Sequence, residues 1–493
     1  MPLKVLFVSS EVFPLIKTGG LADVSGSLPS ALQKLSVDIR ILLPGYTPVL
    51  NQLTNLQPIA SFHHLPIVQD VELLLGTIPE SQVKVMVIKS AILYERGGGP
   101  YADANGQEWQ DNPLRFGVLS KVASLLSSSQ TPLADWQPDI VHCNDWQAGL
   151  TPAYMKLVEN SPAKSIISVH NMAFQGCYSA DWVSALGLPD SGFSIEGFEY
   201  YDQLSFLKAG IYYADAISTV SPNYAKEIQT EEFGFGLQGL LATRGSEIKG
   251  ILNGIEPDDW NPETDTHLIK NYSLSELAGK SQVKKALQKK SGLNIDANAP
   301  LLGVVSRLTH QKGLDMLLLI AQDLLDAGCQ LALLGSGEST LESAFRGLAV
   351  NNPGKASVTI GYNEPLSHQI MAGSDMFIMP SRFEPCGLNQ LYGLAYGTPP
   401  IVNATGGLAD SVTDITPASI KNKTATGFVM EKTSSDALLA CIQRALEIFR
   451  NDTKTWHQIQ KNGMSKNLSW DNSALEYRDL YQSLVKTTAK KIK

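Results

Sequence analysis

The chain has 493 residues, 43% of them hydrophobic and 18% charged, and so exceeds the roughly 250 to 300 residues at which a single core stops growing. Its 39 basic and 48 acidic side chains leave a formal charge of -9, which excludes a general attraction for nucleic acid, and no apolar run approaches the ~20 residues that insert across a membrane. Five scattered cysteines without Cys-x-x-Cys spacing fit a reducing, cytoplasmic setting and exclude a disulfide framework.

The first residues run straight into an apolar segment, Lys4–Val8, read as a strand of the folded domain rather than a secretory leader. Short β-branched runs at Asp38–Leu43, Val83–Lys89, Ile140–His142, Ser165–Val169 and Ala216–Val220 then alternate with helical stretches. That alternation predicts a parallel sheet covered by helices. After Asn253-Gly254 the chain turns polar through Pro257 to Pro262 and lysine-rich over Ser281 to Lys290. The domain boundary is placed there, giving residues 1–255 and 256–470. Strands resume at Leu301–Val305, Gln330–Leu334, Val358–Ile360, Met376–Met379 and Pro400–Val402. A last helix over about 471–493 carries Tyr477, Leu480, Tyr481 and Leu484 at helical spacing and is expected to pack on the first domain. Thr18-Gly19-Gly20-Leu21-Ala22-Asp23 reappears as Thr405 to Asp410, so each half has a glycine-rich strand-to-helix turn.

Lys17-Thr18-Gly19-Gly20 combines a cation, bare backbone and a helix N-terminus, which suits a phosphate and equally describes a tight turn with a surface lysine. Arg307 and Lys312 follow the strand Leu301 to Ser306, where ligands of open α/β sheets bind; either they neutralise a leaving diphosphate or they are solvated loop cations. The block Ser381 to Gln390 puts the carboxylate of Glu384 beside a run of backbone N–H groups at a helix start, fit for sugar hydroxyls and phosphate oxygens or simply for a helix dipole. Asp145 and His170 follow successive strands and so reach one sheet edge, whereas His63, His64, His142 and His368 read as structural. No Asp-x-Asp or His cluster has the spacing of a metal site.

Taken together, Lys17 to Asp23, Asn144-Asp145-Trp146, His170-Asn171, Ser306-Arg307-Leu308 with Gln311-Lys312-Gly313, and Ser381 to Leu388 with Thr405 to Asp410 resemble the bacterial and plant glycogen and starch synthases. The match runs in order along essentially the whole chain. The resemblance implies an α/β GT-B fold, two facing Rossmann-like domains with a C-terminal helix returning to the first. It implies a retaining glucosyltransferase that uses ADP-glucose as donor and the non-reducing end of an α-1,4-glucan as acceptor, without metal or other cofactor. The first domain would serve the glucan and the second the nucleotide sugar. On the resemblance, Lys17, Arg307 and Lys312 meet the diphosphate, Asp145, His170 and Glu384 surround the transferred glucose, and Tyr362 lies beside the base, with Tyr94 in a similar part. Gly20, Asp23, Asn171, Asn253, Cys386, Gly387, Leu388 and Asn389 complete the implied nucleotide-sugar set. Two departures stand out: Tyr392 occupies the position eight after Glu384 where many retaining enzymes of this fold carry a second glutamate, and Asn389 stands where threonine is common. A dinucleotide oxidoreductase would need Gly-x-Gly-x-x-Gly after the first strand, which is missing.

Overall fold

The computed structural model describes residues 2–65 and 68–491, so the last two residues of the expected terminal helix lie outside it. The chain forms two compact units, one running to Asn253 and resuming at Trp470, the other Gly254–Ser469.

In the first unit the strands are β1 (Lys4–Val8), β2 (Asp38–Pro44), β3 (Gln57–Leu65), β4 (Val68–Thr77), β5 (Lys84–Lys89), β6 (Ile140–Asn144), β7 (Lys164–Val169), β8 (Cys177–Ser179), β9 (Glu199–Tyr200), β10 (Gln203–Ser205), β11 (Ala216–Thr219) and β12 (Ile248–Gly250). The main sheet has the order β12-β11-β7-β6-β1-β2-β5-β4-β3, and β8, β10 and β9 form a small separate sheet. From β12 to β5 the pairing is parallel, and Val5 to Val8 are wholly buried because helices cover both faces. The edge pair β3 and β4 is antiparallel, a hairpin that the expectation of a parallel sheet did not contain.

The helix Gly20–Lys34 buries Leu21, Val24, Leu28 and Leu32, the spacing of one apolar face. Against it packs the closing helix Asp471–Lys491, which buries Ala474, Tyr477 and Tyr481. Its Tyr481 hydroxyl meets His142 Nδ1 at 2.7 Å, and His142 Nε2 meets Ser168 Oγ at 2.6 Å. Burial lowers the His142 pKa to about 3, so the ring is a neutral structural link between β6 and the chain's last helix.

The second unit contains β13 (Leu301–Val305), β14 (Gln330–Gly335), β15 (Ala356–Ile360), β16 (Met376–Met379), β17 (Pro400–Asn403) and β18 (Phe428–Met430), all parallel, in the order β15-β14-β13-β16-β17-β18. This is the 3-2-1-4-5-6 order of a nucleotide-binding sheet. The lysine-rich stretch that reads as part of a polar boundary is a helix, Ala278–Lys290, of this unit. Its Lys284 pairs with Asp375 at 2.7 Å, and Lys280 donates to Ala372 O at 2.7 Å and Thr398 Oγ1 at 2.6 Å. Burial pushes the Lys280 ammonium down to about 7.

The polar segment before that helix is anchored too. The Trp260 ring lies flat between His368, 3.8 Å away at 13°, and Tyr392, 3.7 Å away at 9°. Burial alone would lower the His368 pKa, but its 2.8 Å contact with Asp265, with Glu364 on its other nitrogen, raises it to about 9. His368 therefore enters the stack as a cation, the favourable partner for an indole face.

Candidate active site

Strand order reverses between β1 and β6 in the first unit and between β13 and β16 in the second. The loops leaving the carboxyl ends of those strands open the crevice where an α/β sheet takes its ligand. Lys17 and Asp145 lie on these loops in the first unit and Arg307, Lys312 and Glu384 in the second, whereas His170 follows the neighbouring β7, Asn253 follows β12 and Tyr362 follows β15.

In the first unit the loop after β1 is organised by Glu11, 2% exposed, which sequence reasoning did not single out. Its carboxylate accepts the Thr18 and Gly19 N–H groups, the Thr18 hydroxyl at 2.6 Å and the Tyr101 hydroxyl. A buried acid thus sets the Lys17 turn from beneath. Lys17 Nζ reaches Asp23 Oδ1 at 2.8 Å, with the lysine side chain 32% exposed. Gly19 is extended (φ -154°), and a Cβ there would meet nothing within 4 Å. Neither backbone nor packing requires glycine at Gly19, so the space above the turn is open to an incoming group.

Asp145, immediately after β6, holds a left-handed φ of 54° and is 8% exposed. Its Oδ1 accepts the backbone N–H of His170 at 2.7 Å and of Asn171 at 3.4 Å. Burial raises its pKa to about 7, against the lowering effect of these amides. His170 Nε2 meets Asn144 Oδ1 at 3.0 Å, and Asn144 Nδ2 donates to Val8 O at 3.0 Å, so one chain of bonds ties the ends of β1, β6 and β7. Burial lowers His170 to about 4, leaving a neutral imidazole near pH 7. Asn253 is 8% exposed, and its Oδ1 is a buried acceptor without a hydrogen-bond partner among the described residues.

In the second unit Lys312 Nζ and Glu384 Oε2 are 2.6 Å apart, and the Ser381 hydroxyl donates to the same oxygen at 2.9 Å. Glu384 is only 6% exposed, so it is a built part of the loop and not a solvated surface acid. Arg307, exposed at the end of β13, has no ion-pair partner among the described residues. The N–H groups of Gly387, Leu388 and Asn389 open the helix Asn389–Ala395, whose first donors lack intrahelical acceptors. The Asn389 side chain is occupied: its Nδ2 donates to Val305 O at 2.6 Å, tying the block to β13. Cys386 is buried beside it.

The repeated glycine pair has a different cause here. A Cβ on Gly406 would run into Glu384 O, and one on Gly407 into Cys386 O; Gly407 N–H donates to Glu384 O at 3.1 Å. The second turn is thus a brace behind Glu384, whereas the first faces open space. Tyr362, after β15, is 77% exposed with its hydroxyl donating to the Glu364 carboxylate, leaving a ring face for a planar ligand.

Tyr94 corrects the expectation that it plays a part like that of Tyr362. It is 1% exposed, its hydroxyl donates to Arg115 O at 2.6 Å, and its ring meets Tyr46 edge to face. Burial drives the phenol pKa strongly up. Tyr94 is core and offers no face to a base. Among the described residues no three His, Cys, Asp or Glu side chains gather as a metal site, and no helix is long and apolar enough to cross a membrane.

Two Rossmann-type units, the second complete at Ser469 before the chain re-enters the first, are the domain composition of the GT-B fold class. Residues 4–243 match the family described as the starch synthase catalytic domain, and residues 286–465 match glycosyl transferases group 1. The chain is 50% identical to a glycogen synthase of Nitrosospira multiformis over 98% of its own length and 97% of that protein. It is 52% identical to one from Nitrosomonas eutropha over 98% and 96% of the two chains. Among solved structures, the catalytic domain of starch synthase IV from Arabidopsis thaliana, bound to ADP and acarbose, superimposes with a TM-score of 0.89 at 31% identity, covering 99% of this chain and 100% of that one. Sucrose-phosphate synthase from Thermosynechococcus elongatus, 15% identical with a TM-score of 0.59, shares the fold alone. The chain belongs to the glycogen synthase family and is a retaining glucosyltransferase.

Proposed function

We propose that the chain transfers glucose from ADP-glucose, with retention of the α configuration, to the non-reducing 4-hydroxyl of an α-1,4-glucan. The observation that carries the residue assignment is the buried Lys312–Glu384–Ser381 cluster at the switch point of the second sheet. A carboxylate held by a cation and a hydroxyl has its charge balanced, and its remaining lone pairs suit sugar hydroxyls. The ADP and acarbose on the Arabidopsis relative support a nucleotide and an α-glucan as ligands.

In this reading Lys17, Arg307 and Lys312 stabilise the negative charge growing on the leaving ADP. The bond from glucose C1 to the β-phosphate oxygen breaks while the acceptor O4 bonds C1 on the same face. The O4 proton passes to the departing phosphate oxygen. Asp145 and Glu384 are each engaged by hydrogen bonds that hold them as orienting groups, which favours this front-face route over a covalent glycosyl-enzyme. Neutral His170 can accept from or donate to a sugar hydroxyl. Gly20 and Asp23 belong to the Lys17 turn, Asn171 and Asn253 offer polar contacts, and the Gly387 to Asn389 amides face phosphate. The three cations take the part a metal would play, so no metal or cofactor is required. The five free cysteines accord with a reducing cytoplasm.

Labelled glucose incorporation into glycogen, compared for ADP-glucose and UDP-glucose with excess chelator, tests this directly. Transfer from ADP-glucose at full rate is expected. Dependence on an added divalent cation, or preference for UDP-glucose, would refute the corresponding part.

A further inference from the structure

Tyr362 is an exposed ring just past β15, carried on Gly361, whose φ of 127° lies where only glycine is relaxed. A side chain so placed is free to sample its rotamers unless something holds it. Among the described residues the ring makes one hydrogen bond, from its hydroxyl to the Glu364 carboxylate. That acid is itself held. It opens the helix Glu364–Gly373, whose N-cap Asn363 accepts the Leu366 N–H at 3.0 Å, so its charge lies where the helix dipole favours an anion. One turn along the helix, His368 Nε2 stands 3.7 Å from Glu364 Oε1.

His368 carries the connection into the core. Its ring, 3% exposed, lies flat on Trp260, and its Nδ1 is 2.8 Å from Asp265 Oδ2, which also accepts the Tyr396 hydroxyl at 2.5 Å. Acid, cation and acid thus alternate from surface to interior as Glu364, His368 and Asp265. A ring as exposed as Tyr362 contributes little to the core, so packing does not account for a foundation of this depth beneath it.

We propose that Glu364, set by His368, is a positioning residue that fixes the Tyr362 ring as a shelf for the donor's base, so that nucleotide binding does not have to order it. This rests on the ADP-glucose donor assigned above and on Tyr362 lying beside the base. Ordering a free aromatic side chain on binding would weaken affinity by roughly three- to tenfold.

Glu364→Ala cuts the tether from below, and Tyr362→Phe cuts it from above with the ring kept. Calorimetric titration with ADP and with inorganic pyrophosphate, which has no base, reads the two ends of the donor site apart. ADP affinity should fall roughly three- to tenfold in each variant and no further in the double variant, because both changes remove the same bond. Pyrophosphate affinity should not fall in either. Loss of an acid near the site would on charge alone tighten both ligands, so the expected weakening of ADP runs against the electrostatic effect. KM for ADP-glucose should rise by the same factor while kcat stays within about twofold and Tm holds. An unchanged or tighter ADP affinity in Glu364→Ala, losses that add in the double variant, or an equal loss for pyrophosphate would overturn the proposal. Tyr362→Ala separates the two levels: if it leaves ADP affinity unaltered, the placing of the base fails and the tether with it; if it weakens ADP while Glu364→Ala does not, the tether alone fails.

Discussion

Asp145→Asn separates what the fold tolerates from what the reaction uses. In the folded chain the Asp145 carboxyl titrates near 7, against 3.8 in the unfolded chain, because it is buried. Between those two values the folded state binds the proton that the unfolded state releases, so wild-type stability falls as pH rises through the window and levels off above it. The stability withheld above pH 7 is at most about 4 kcal/mol. Asparagine keeps an oxygen for the His170 and Asn171 amides but adds an N–H2 group that needs acceptors, a cost of about 1 to 3 kcal/mol. The reliable quantity is the pH dependence, since the cost of the amide does not titrate. Relative to wild type, Asp145→Asn should gain ~2.7 kcal/mol on going from about pH 5 to about pH 8. Calorimetric unfolding of both proteins at the two pH values measures it, beside turnover with saturating ADP-glucose and glycogen. The stability of the variant relative to wild type should improve with pH while its turnover drops at least tenfold, as for a residue kept for chemistry at the expense of the fold. A stability difference independent of pH would show that Asp145 is ionised throughout; unaltered turnover would remove it from the site.

Lys312→Ala should weaken binding of free ADP by roughly 1.5 to 3 kcal/mol in calorimetric titration, whereas His170→Ala should leave that affinity nearly unchanged and lower turnover. The opposite pattern would exchange the roles of the two units. Glu384→Gln keeps the shape of the loop but removes the charge opposite Lys312, and turnover should fall by roughly ten- to a hundredfold with the fold retained, checked by circular dichroism and steady-state kinetics. Glu11→Gln replaces an acceptor-only carboxylate under the Lys17 turn, so kcat/KM for the donor should drop roughly tenfold and Tm should fall; an unchanged kcat/KM would mean the turn holds without it.

The alternation of strands and the loops that follow them were legible from the sequence because buried parallel strands read as continuous apolar runs. The hairpin of β3 and β4 was not, since an edge pair mixes polar with apolar residues over Gln57–Leu65. The lysine-rich helix escaped for another reason: its charges read as solvated, and only the fold shows Asp375 and the carbonyls that take Lys284 and Lys280 inside. Sequence shows the same glycine pair at Gly19-Gly20 and Gly406-Gly407, but what stands opposite decides its use, open space at Gly19 in the first and the Glu384 loop at both glycines of the second. Tyr94 and Tyr362 likewise cannot be told apart as residue types; Arg115, wholly buried beneath Tyr94, makes one a core residue. Tyr392 is accounted for as well, because the place of a second acid is taken by the ring that covers Trp260.

The first unit is assembled from the two ends of the chain, and this sets an order of synthesis. Tyr477 and Tyr481, 1% and 0% exposed, complete the layer over His142, yet they leave the ribosome only after all of Gly254–Ser469. The later-made unit is contiguous and can finish first, reversing the usual sequence in which the N-terminal domain folds ahead. Until the last turns emerge, β6 and the helix Gly20–Lys34 present an uncovered apolar face to the cell, so a nascent chain halted near residue 470 has a finished nucleotide-type sheet and an unfinished partner. Such a product is a natural client for chaperones and proteases, which makes intactness of the final helix a checkpoint on the whole enzyme.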